Sequence, residues 1–102
     1  MIFLILFFLQ TLSNAQYNGT CGQECYWEYN QNDQILQING SGEMYNYSTT
    51  TQPWNSILTE IKEIRISEGI ISIGKYAFYK CSNITHIQLP QSIQSIHFYS
   101  FG

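Results

Sequence analysis

Two six-residue stretches decide the fold of this chain: residues 61–66, Ile-Lys-Glu-Ile-Arg-Ile, and residues 84–89, Ile-Thr-His-Ile-Gln-Leu. Both follow the pattern I-x-x-I-x-[IL], and they begin 23 residues apart. Further identities continue the match: Ile70 and Ile93, Ser72 and Ser95, Ile73 and Ile96, Tyr76 and Tyr99, Phe78 and Phe101. A period of about 20 to 29 residues opening on such a pattern is typical of leucine-rich repeats. It predicts a leucine-rich-repeat solenoid with one short parallel β-strand in each ~23-residue repeat.

Alternation along the two strands assigns their side chains to opposite faces. The aliphatic residues expected to point inward are Ile64, Ile66, Ile87 and Leu89, with Ile70, Ile73, Phe78, Ile93, Ile96 and Phe101 filling the interior from its far side. The polar residues expected to point outward are Glu63, Arg65, His86 and Gln88. In-register stacking places Glu63 beside His86, and Arg65 beside Gln88, about 4.8 Å apart. This row is the candidate interaction face, and the alternative is an ordinary solvated face, because two strands offer less than the usual interface of about 800 Å² per partner.

Residues 16–60 differ from the repeats, since they are rich in Asn, Gln, Ser, Thr and Tyr. Residues 26–30 and 35–39 are strand-like and flank a polar linker, which predicts a β-hairpin. Pro53 predicts a short helix over residues 53–58, with the proline at its first position. A solenoid needs a cap over the exposed end of its core. We therefore expect a small N-terminal cap at residues 16–60, followed by two repeats at residues 61–102, the second incomplete.

Residues 1–15 resemble a secretory signal peptide, with an apolar run, a polar break at Gln10, and small residues Ser13 and Ala15 at the expected cleavage site. The apolar run is too short for a membrane span, which needs about 20 residues. We therefore expect a secreted or cell-surface chain with no membrane span after signal removal. The net charge of −3 argues against nucleic-acid binding, which requires a basic surface.

Three cysteines follow the leader. Secretion favours a disulfide between Cys21 and Cys25, whereas the three-residue spacer could prevent the bridging geometry, so both states remain open. A metal site formed by Cys21, Cys25, His86 and His97 is disfavoured by the histidine spacing. Cys81 is expected to be a small buried hydrophobic residue. We predict no metal and no cofactor.

Four N-x-[ST] sequons are candidate glycosylation sites: Asn18, Asn39, Asn46 and Asn83. Each has an alternative explanation, because asparagine is also a preferred turn residue.

One family contains these features in the same order. The shared residues are Cys21-Gly22, Trp27, residues 36–44, Pro53-Trp54 and residues 68–78, and Cys81, Ser82, Asn83 and Pro90 also fit the repeat. The chain resembles the BspA-like leucine-rich-repeat surface proteins, with His97 standing where the family repeat has glycine. The resemblance implies a secreted or cell-surface protein that binds host-cell or extracellular-matrix proteins through many repeats. It also implies that Cys81 is an interior position of the repeat.

The leading functional hypothesis is a non-enzymatic protein-binding or adhesion protein. The alternative is a truncated fragment or incomplete gene model of a longer surface protein, with no independent activity, because the chain stops at Gly102 with barely two repeats and about three are needed for a continuous core.

A secreted hydrolase is less favoured, since there is no G-x-S-x-G or H-E-x-x-H motif. The carboxylates of Glu60, Glu63 and Glu68 are expected to be surface groups. A secreted lectin is also less favoured. Its sugar-stacking residues would be Tyr45, Tyr47 and Trp54, although Trp54 is expected to pack within the cap.

Overall fold

The computed structural model describes residues 17–102, which form a strand-rich, helix-poor chain with an open sheet. The strands, in chain order, are β1 Asn18–Gly22, β2 Glu24–Asn30, β3 Ile35–Glu43, β4 Glu63–Ile66, β5 Ile70–Ile73, β6 His86–Gln88 and β7 Ser95–Ile96. The order across the sheet is β1-β2-β3-β4-β6, while β5 lies beside β3 and β7. The predicted signal peptide, residues 1–15, lies outside the described residues. The strand-rich character agrees with the repeat pattern.

The predicted hairpin is present as β2 and β3, which pair antiparallel. Trp27 lies opposite Ile38, and Tyr29 opposite Leu36. All four side chains are buried, because residues two apart on a strand share a face. The hairpin therefore contributes one apolar face to the core. Strand β1, which the sequence analysis did not predict, pairs antiparallel with β2 and adds an edge to the sheet.

The two repeated stretches lie side by side in the sheet. Strand β4 pairs in parallel with both β3 and β6, and β5 pairs in parallel with β7. Backbone hydrogen bonds join residues 23 positions apart: the N–H of Thr85 donates to the carbonyl of Lys62, and that of Gln94 to the carbonyl of Ile71, both at 2.8 Å. The 23-residue spacing in the sequence is thus the spacing at which backbone groups of the two layers meet.

Trp54 lies at the centre of the buried core and is fully buried. The rings of Trp27 and Tyr47 meet it edge-on at 5.7 and 5.8 Å between centroids. The ring of Phe78 stacks on it at 5.4 Å. Its indole Nε1–H donates a hydrogen bond of 2.7 Å to the carbonyl of Ala77. Trp54 therefore couples the segment before the repeats to the first repeat.

The helix predicted over residues 53–58 is a single 3₁₀ turn, Asn55–Ile57. Its N-cap is Trp54, so the prediction that Pro53 opens the helix is wrong. The cap makes no side-chain hydrogen bond, and the side chains of Ile57 and Leu58 are buried. Burial of these apolar residues, rather than helix capping, determines the conformation here.

The apolar residues of the first repeat are buried, whereas several of the second are not. The exposed fractions are 39% for Ile87, 44% for Leu89, 47% for Ile96 and 40% for Phe101. Within residues 17–102, β6 pairs with β4 alone and β7 with β5 alone, so no strand in the described part of the chain covers their other edge. The prediction that these four residues fill the interior is therefore wrong for this structure.

Position 74 requires glycine because its backbone lies close to the backbone of Tyr45. A Cβ atom at this position would lie 1.8 Å from the carbonyl oxygen of Tyr45. His97 stands at the matching position of the second repeat, where its N–H donates to the carbonyl of Ile73 at 3.1 Å. The second repeat therefore makes its backbone contact without a glycine.

Candidate interaction face

The four predicted contact residues lie together on β4 and β6. Glu63 is opposite His86, and Arg65 is opposite Gln88, in a parallel register. Glu63 is half-buried and the other three side chains are exposed. Their neighbours in β4, Ile64 and Ile66, are buried on the other face. The structure thus brings all four residues onto one accessible surface.

An ion pair forms within this row. The Nε–H of Arg65 donates to Oε2 of Glu63 at 2.6 Å, because residues two apart on a strand share a face. The hydrogen bond from Arg65 lowers the pKa of the Glu63 carboxyl, although desolvation opposes it, and the same bond raises the pKa of Arg65. Both groups are therefore charged at neutral pH. Such an exposed pair adds little to stability, so either charge is available to a partner.

The polar row extends beyond the two repeats. Gln37 of β3 lies opposite Arg65, Glu28 of β2 opposite Gln37, and Asn18 of β1 opposite Glu28. With Gln88, these residues cross five neighbouring strands, about 19 Å at the usual strand spacing. The sequence analysis missed this extension because it assigned the hairpin to a separate cap. The alternation of polar and aromatic residues along β2 was the available signal.

A concave region of about 810 Å³ lies beside the same row. Its lining includes Tyr17, Glu28, Asp33, Gln37 and Arg65. The face therefore combines a flat row of polar side chains with a polar depression.

The structure joins Cys21 and Cys25 in a disulfide, with 4.9 Å between their Cα atoms. Both are fully buried, near the turn between β1 and β2. Cys81 is a half-buried free thiol, and burial raises its pKa to about 12. Among residues 17–102, no three His, Cys, Asp or Glu side chains are grouped so that they could hold a metal ion.

The four sequon asparagines are spread over the chain: Asn18 on β1, Asn39 on β3, Asn46 after β3 and Asn83 before β6. Asn39 is half-buried and the others are exposed. The side-chain amide of Asn83 donates to the carbonyl of Thr59, 24 residues earlier. Asn83 therefore links successive layers of the chain, which is a structural role compatible with its place in the repeat pattern.

Two of the three carboxylates considered for catalysis, those of Glu63 and Glu68, have other partners. Glu68 accepts hydrogen bonds from the backbone N–H groups of Gln91 at 2.8 Å and Ser92 at 3.2 Å. Glu63 is paired with Arg65. Glu68 thus holds the start of the loop after β6, and the two carboxylates have separate structural contacts.

The aromatic residues considered for sugar stacking do not form a common platform. Trp54 is fully buried, and Tyr47 is half-buried with its hydroxyl donating to the carbonyl of Cys21 at 3.3 Å. Tyr45 alone is well exposed, at 51%. No helix in the described part of the chain is long and apolar enough to cross a membrane.

Comparison with known proteins gives one family and one solved structure. Residues 56–102 match a family model described as "BspA type Leucine rich repeat region (6 copies)". The crystal structure of a leucine-rich repeat protein from Eubacterium ventriosum superposes with a TM-score of 0.73 at 29% sequence identity. The superposition covers 78% of this chain and 21% of that chain. No curated protein matches.

Proposed function

Residues 56–102 belong to the BspA-type leucine-rich-repeat family, and from that premise we propose that the chain is a non-enzymatic protein-binding module of the adhesion type. The binding surface is the candidate interaction face, comprising Glu63, Arg65, His86 and Gln88. The observation that carries this proposal is the register of β4 and β6, which groups the four polar side chains on one accessible surface.

The extension of the row onto β1, β2 and β3 supports this surface. Two strands are too narrow for a usual interface of about 800 Å² per partner. Five strands, together with the polar depression beside Arg65, bring the available area closer to that size. The paired charges of Glu63 and Arg65 suit recognition of a polar protein surface, since charge complementarity sets specificity.

The proposed organisation is an N-terminal cap at residues 16–60 followed by two solenoid repeats at residues 61–102. The packing of Trp54 against Phe78 supports this organisation, because a residue of the preceding segment then covers the end of the repeat core. The parallel pairing of β3 with β4 supports it equally.

We place the protein outside the cell or at its surface, with residues 1–15 as its signal peptide. The disulfide between Cys21 and Cys25 supports this, since disulfides persist in oxidising compartments. The partner is a host-cell or extracellular-matrix protein. Asn18, Asn39, Asn46 and Asn83 are candidate glycosylation sites if the chain passes through a glycosylating pathway.

The test compares binding of the chain from residue 16 to immobilised extracellular-matrix proteins and to intact host cells. The test variant carries alanine at Glu63, Arg65, His86 and Gln88. A charge-matched control carries alanine at four exposed positions outside the row and the depression: Gln23, Glu43, Lys62 and Gln94. We expect the test variant to lose binding and the control to keep it, with equal unfolding temperatures. Equal binding by both variants would remove the site assignment.

A second candidate is supported by the exposed aliphatic edge. Ile87, Leu89 and Ile96 are 39%, 44% and 47% exposed, as expected for residues that pack against a further repeat in a longer surface protein. On that proposal the described residues have no independent activity. Transcripts that encode additional 23-residue repeats after Gly102 would support it, and an abundant secreted protein of this length that binds host protein would contradict it.

A further inference from the structure

A second exposed surface lies in the turns that follow β5 and β7. Four aromatic rings contact one another in succession there. Tyr79 meets Tyr76 at 5.2 Å between centroids, Tyr76 stacks on Tyr99 at 5.3 Å, and Tyr99 meets Phe98 at 5.4 Å. Phe98 is 65% exposed and Tyr99 55%. We call these four residues the aromatic ribbon.

A lysine lies at each end of the aromatic ribbon. Nζ of Lys80 is 5.6 Å from the ring centroid of Tyr79, and Nζ of Lys75 is 4.8 Å from that of Phe98. Residues 69–102 contain no other Lys or Arg and no Asp or Glu, although the whole chain has a net charge of −3. The segment that carries the aromatic ribbon is therefore basic, although the whole chain is acidic.

The backbone is strained where it presents the rings. Tyr76 and Tyr99 have φ values of 60° and 61°, and Lys80 has 66°. Bulky residues rarely adopt this left-handed conformation, which asparagine and glycine tolerate far better. Tyr76 and Tyr99 are 23 residues apart, so a tyrosine in this unfavourable backbone conformation occurs at the same position of both repeats. Strain of this kind is retained mainly where a side chain has a functional task.

We propose that the aromatic ribbon and its two lysines bind an acidic oligosaccharide, that is, a chain of sugar rings carrying sulfate or carboxylate groups. The exposed rings of Phe98 and Tyr99 offer apolar contact to the C–H groups of a sugar chain, and the hydroxyls of the tyrosines add hydrogen bonds. Tyr76 and Tyr79 are half-buried and hold these two rings in place. The two ammonium groups pair with the anionic substituents.

Charge complementarity distinguishes this ligand from a neutral sugar. Within residues 17–102 neither Lys75 nor Lys80 forms a salt bridge, since the ion pair found there is that of Arg65 and Glu63. Neither ammonium group is therefore neutralised by a carboxylate within the described residues. The site shares no residue with the candidate interaction face, so it is a second binding surface of a different chemical class and is independent of the proposed protein binding.

The first test removes one ring without disturbing the backbone. Tyr99→Asn deletes a central ring, and asparagine accepts the left-handed conformation at that position. Tyr45→Asn is the matched control, since Tyr45 is 51% exposed against 55% for Tyr99 and lies outside the aromatic ribbon. The probe is a sulfated glycosaminoglycan decasaccharide, with calorimetric titration as the assay and thermal unfolding as the check on folding.

We expect Tyr99→Asn to bind the decasaccharide about tenfold more weakly, the loss typical of one stacking contact, while unfolding at or above the temperature of the unmodified chain. Tyr45→Asn should bind normally. Undiminished binding by a folded Tyr99→Asn would overturn the proposal.

The second test addresses the charges. A Lys75→Gln and Lys80→Gln double variant should bind about tenfold more weakly and show a flatter dependence on salt, whereas Lys62→Gln, an exposed lysine elsewhere, should match the unmodified chain. A neutral gluco-oligosaccharide of the same length should not bind detectably. Equal binding of the neutral sugar, or stronger binding to anionic lipid vesicles that depends on the same residues, would also overturn the proposal.

Discussion

Replacing Trp54 by phenylalanine tests whether one indole hydrogen bond joins the N-terminal segment to the repeats. The Nε1–H of Trp54 donates to the carbonyl of Ala77 at 2.7 Å, in a fully buried environment. Phenylalanine keeps an aromatic ring against Phe78 but has no donor. The carbonyl of Ala77 would then lose this hydrogen bond inside the core.

The expected cost has two parts. An unpaired buried carbonyl costs about 1–3 kcal/mol, and the smaller ring leaves a cavity worth about 1–2 kcal/mol. Trp54→Phe should therefore lower the free energy of unfolding by about 2–5 kcal/mol. Trp27→Phe is the control. The side chain of Trp27 is also buried, at 5% exposure, but its Nε1 has no hydrogen-bond partner among the described residues. Removing that unpaired donor offsets the free-energy cost of the cavity. The free energy of unfolding of the control should therefore fall by about 1 kcal/mol or less.

Urea unfolding followed by far-ultraviolet circular dichroism measures the difference. The two variants should differ by about 1–4 kcal/mol. With a slope of about 1–3 kcal/mol per molar urea for a small domain, the midpoint of Trp54→Phe should fall about 0.3–4 M below that of Trp27→Phe. Equal midpoints for the two variants would refute the reasoning, since the same atoms are removed from both side chains and only the indole of Trp54 donates a hydrogen bond.

Three further outcomes follow from single contacts. Gly74→Ala should reduce the free energy of unfolding by about 3 kcal/mol or more, seen as a lower thermal midpoint, because its Cβ would lie 1.8 Å from the carbonyl oxygen of Tyr45. The thiol of Cys81, whose pKa burial raises to about 12, should react with iodoacetamide at pH 8 far more slowly in the folded chain than in urea, and equal rates would contradict its burial. Arg65→Ala should raise the pKa of Glu63, since the hydrogen bond that lowers it is lost, and carboxyl NMR titration would show an unmoved pKa if the pair were unimportant.

The repeat pattern was sufficient to predict β4 and the burial of the aliphatic residues of the first repeat, but it predicted one strand per repeat and so missed β5. Ile64, Ile66, Ile70 and Ile73 are buried because their alternation and spacing match the strands on which they lie. The same pattern could not predict burial in the second repeat. Burial of Ile87 and Leu89 depends on a neighbour across the edge of β6, and no local pattern specifies whether that neighbour exists.

The sequence pattern did not indicate that β3 of the hairpin has a second pairing partner. The sequence pattern predicted β2 and β3 correctly as a pair, but it gave no indication that β3 would also pair in parallel with β4. That contact joins residues far apart in the chain, and pairing of that kind depends on tertiary packing rather than on propensity. The candidate interaction face was consequently predicted as two strands wide, whereas its polar row continues from Arg65 through Gln37 and Glu28.

Each repeat contains residues that form the core and residues that point toward solvent, and only the second group can contact a partner. The recurring apolar residues of the first repeat, such as Ile73 and Phe78, are buried, so they do not contact a partner. The positions left free are those whose side chains point away from the core. On the sheet these positions are occupied by the charged pair of Glu63 and Arg65. In the turns they are occupied by tyrosines whose backbone has the left-handed conformation. Glycine and asparagine tolerate the left-handed conformation better than tyrosine does. Stability alone therefore does not explain why tyrosine occupies positions 76 and 99.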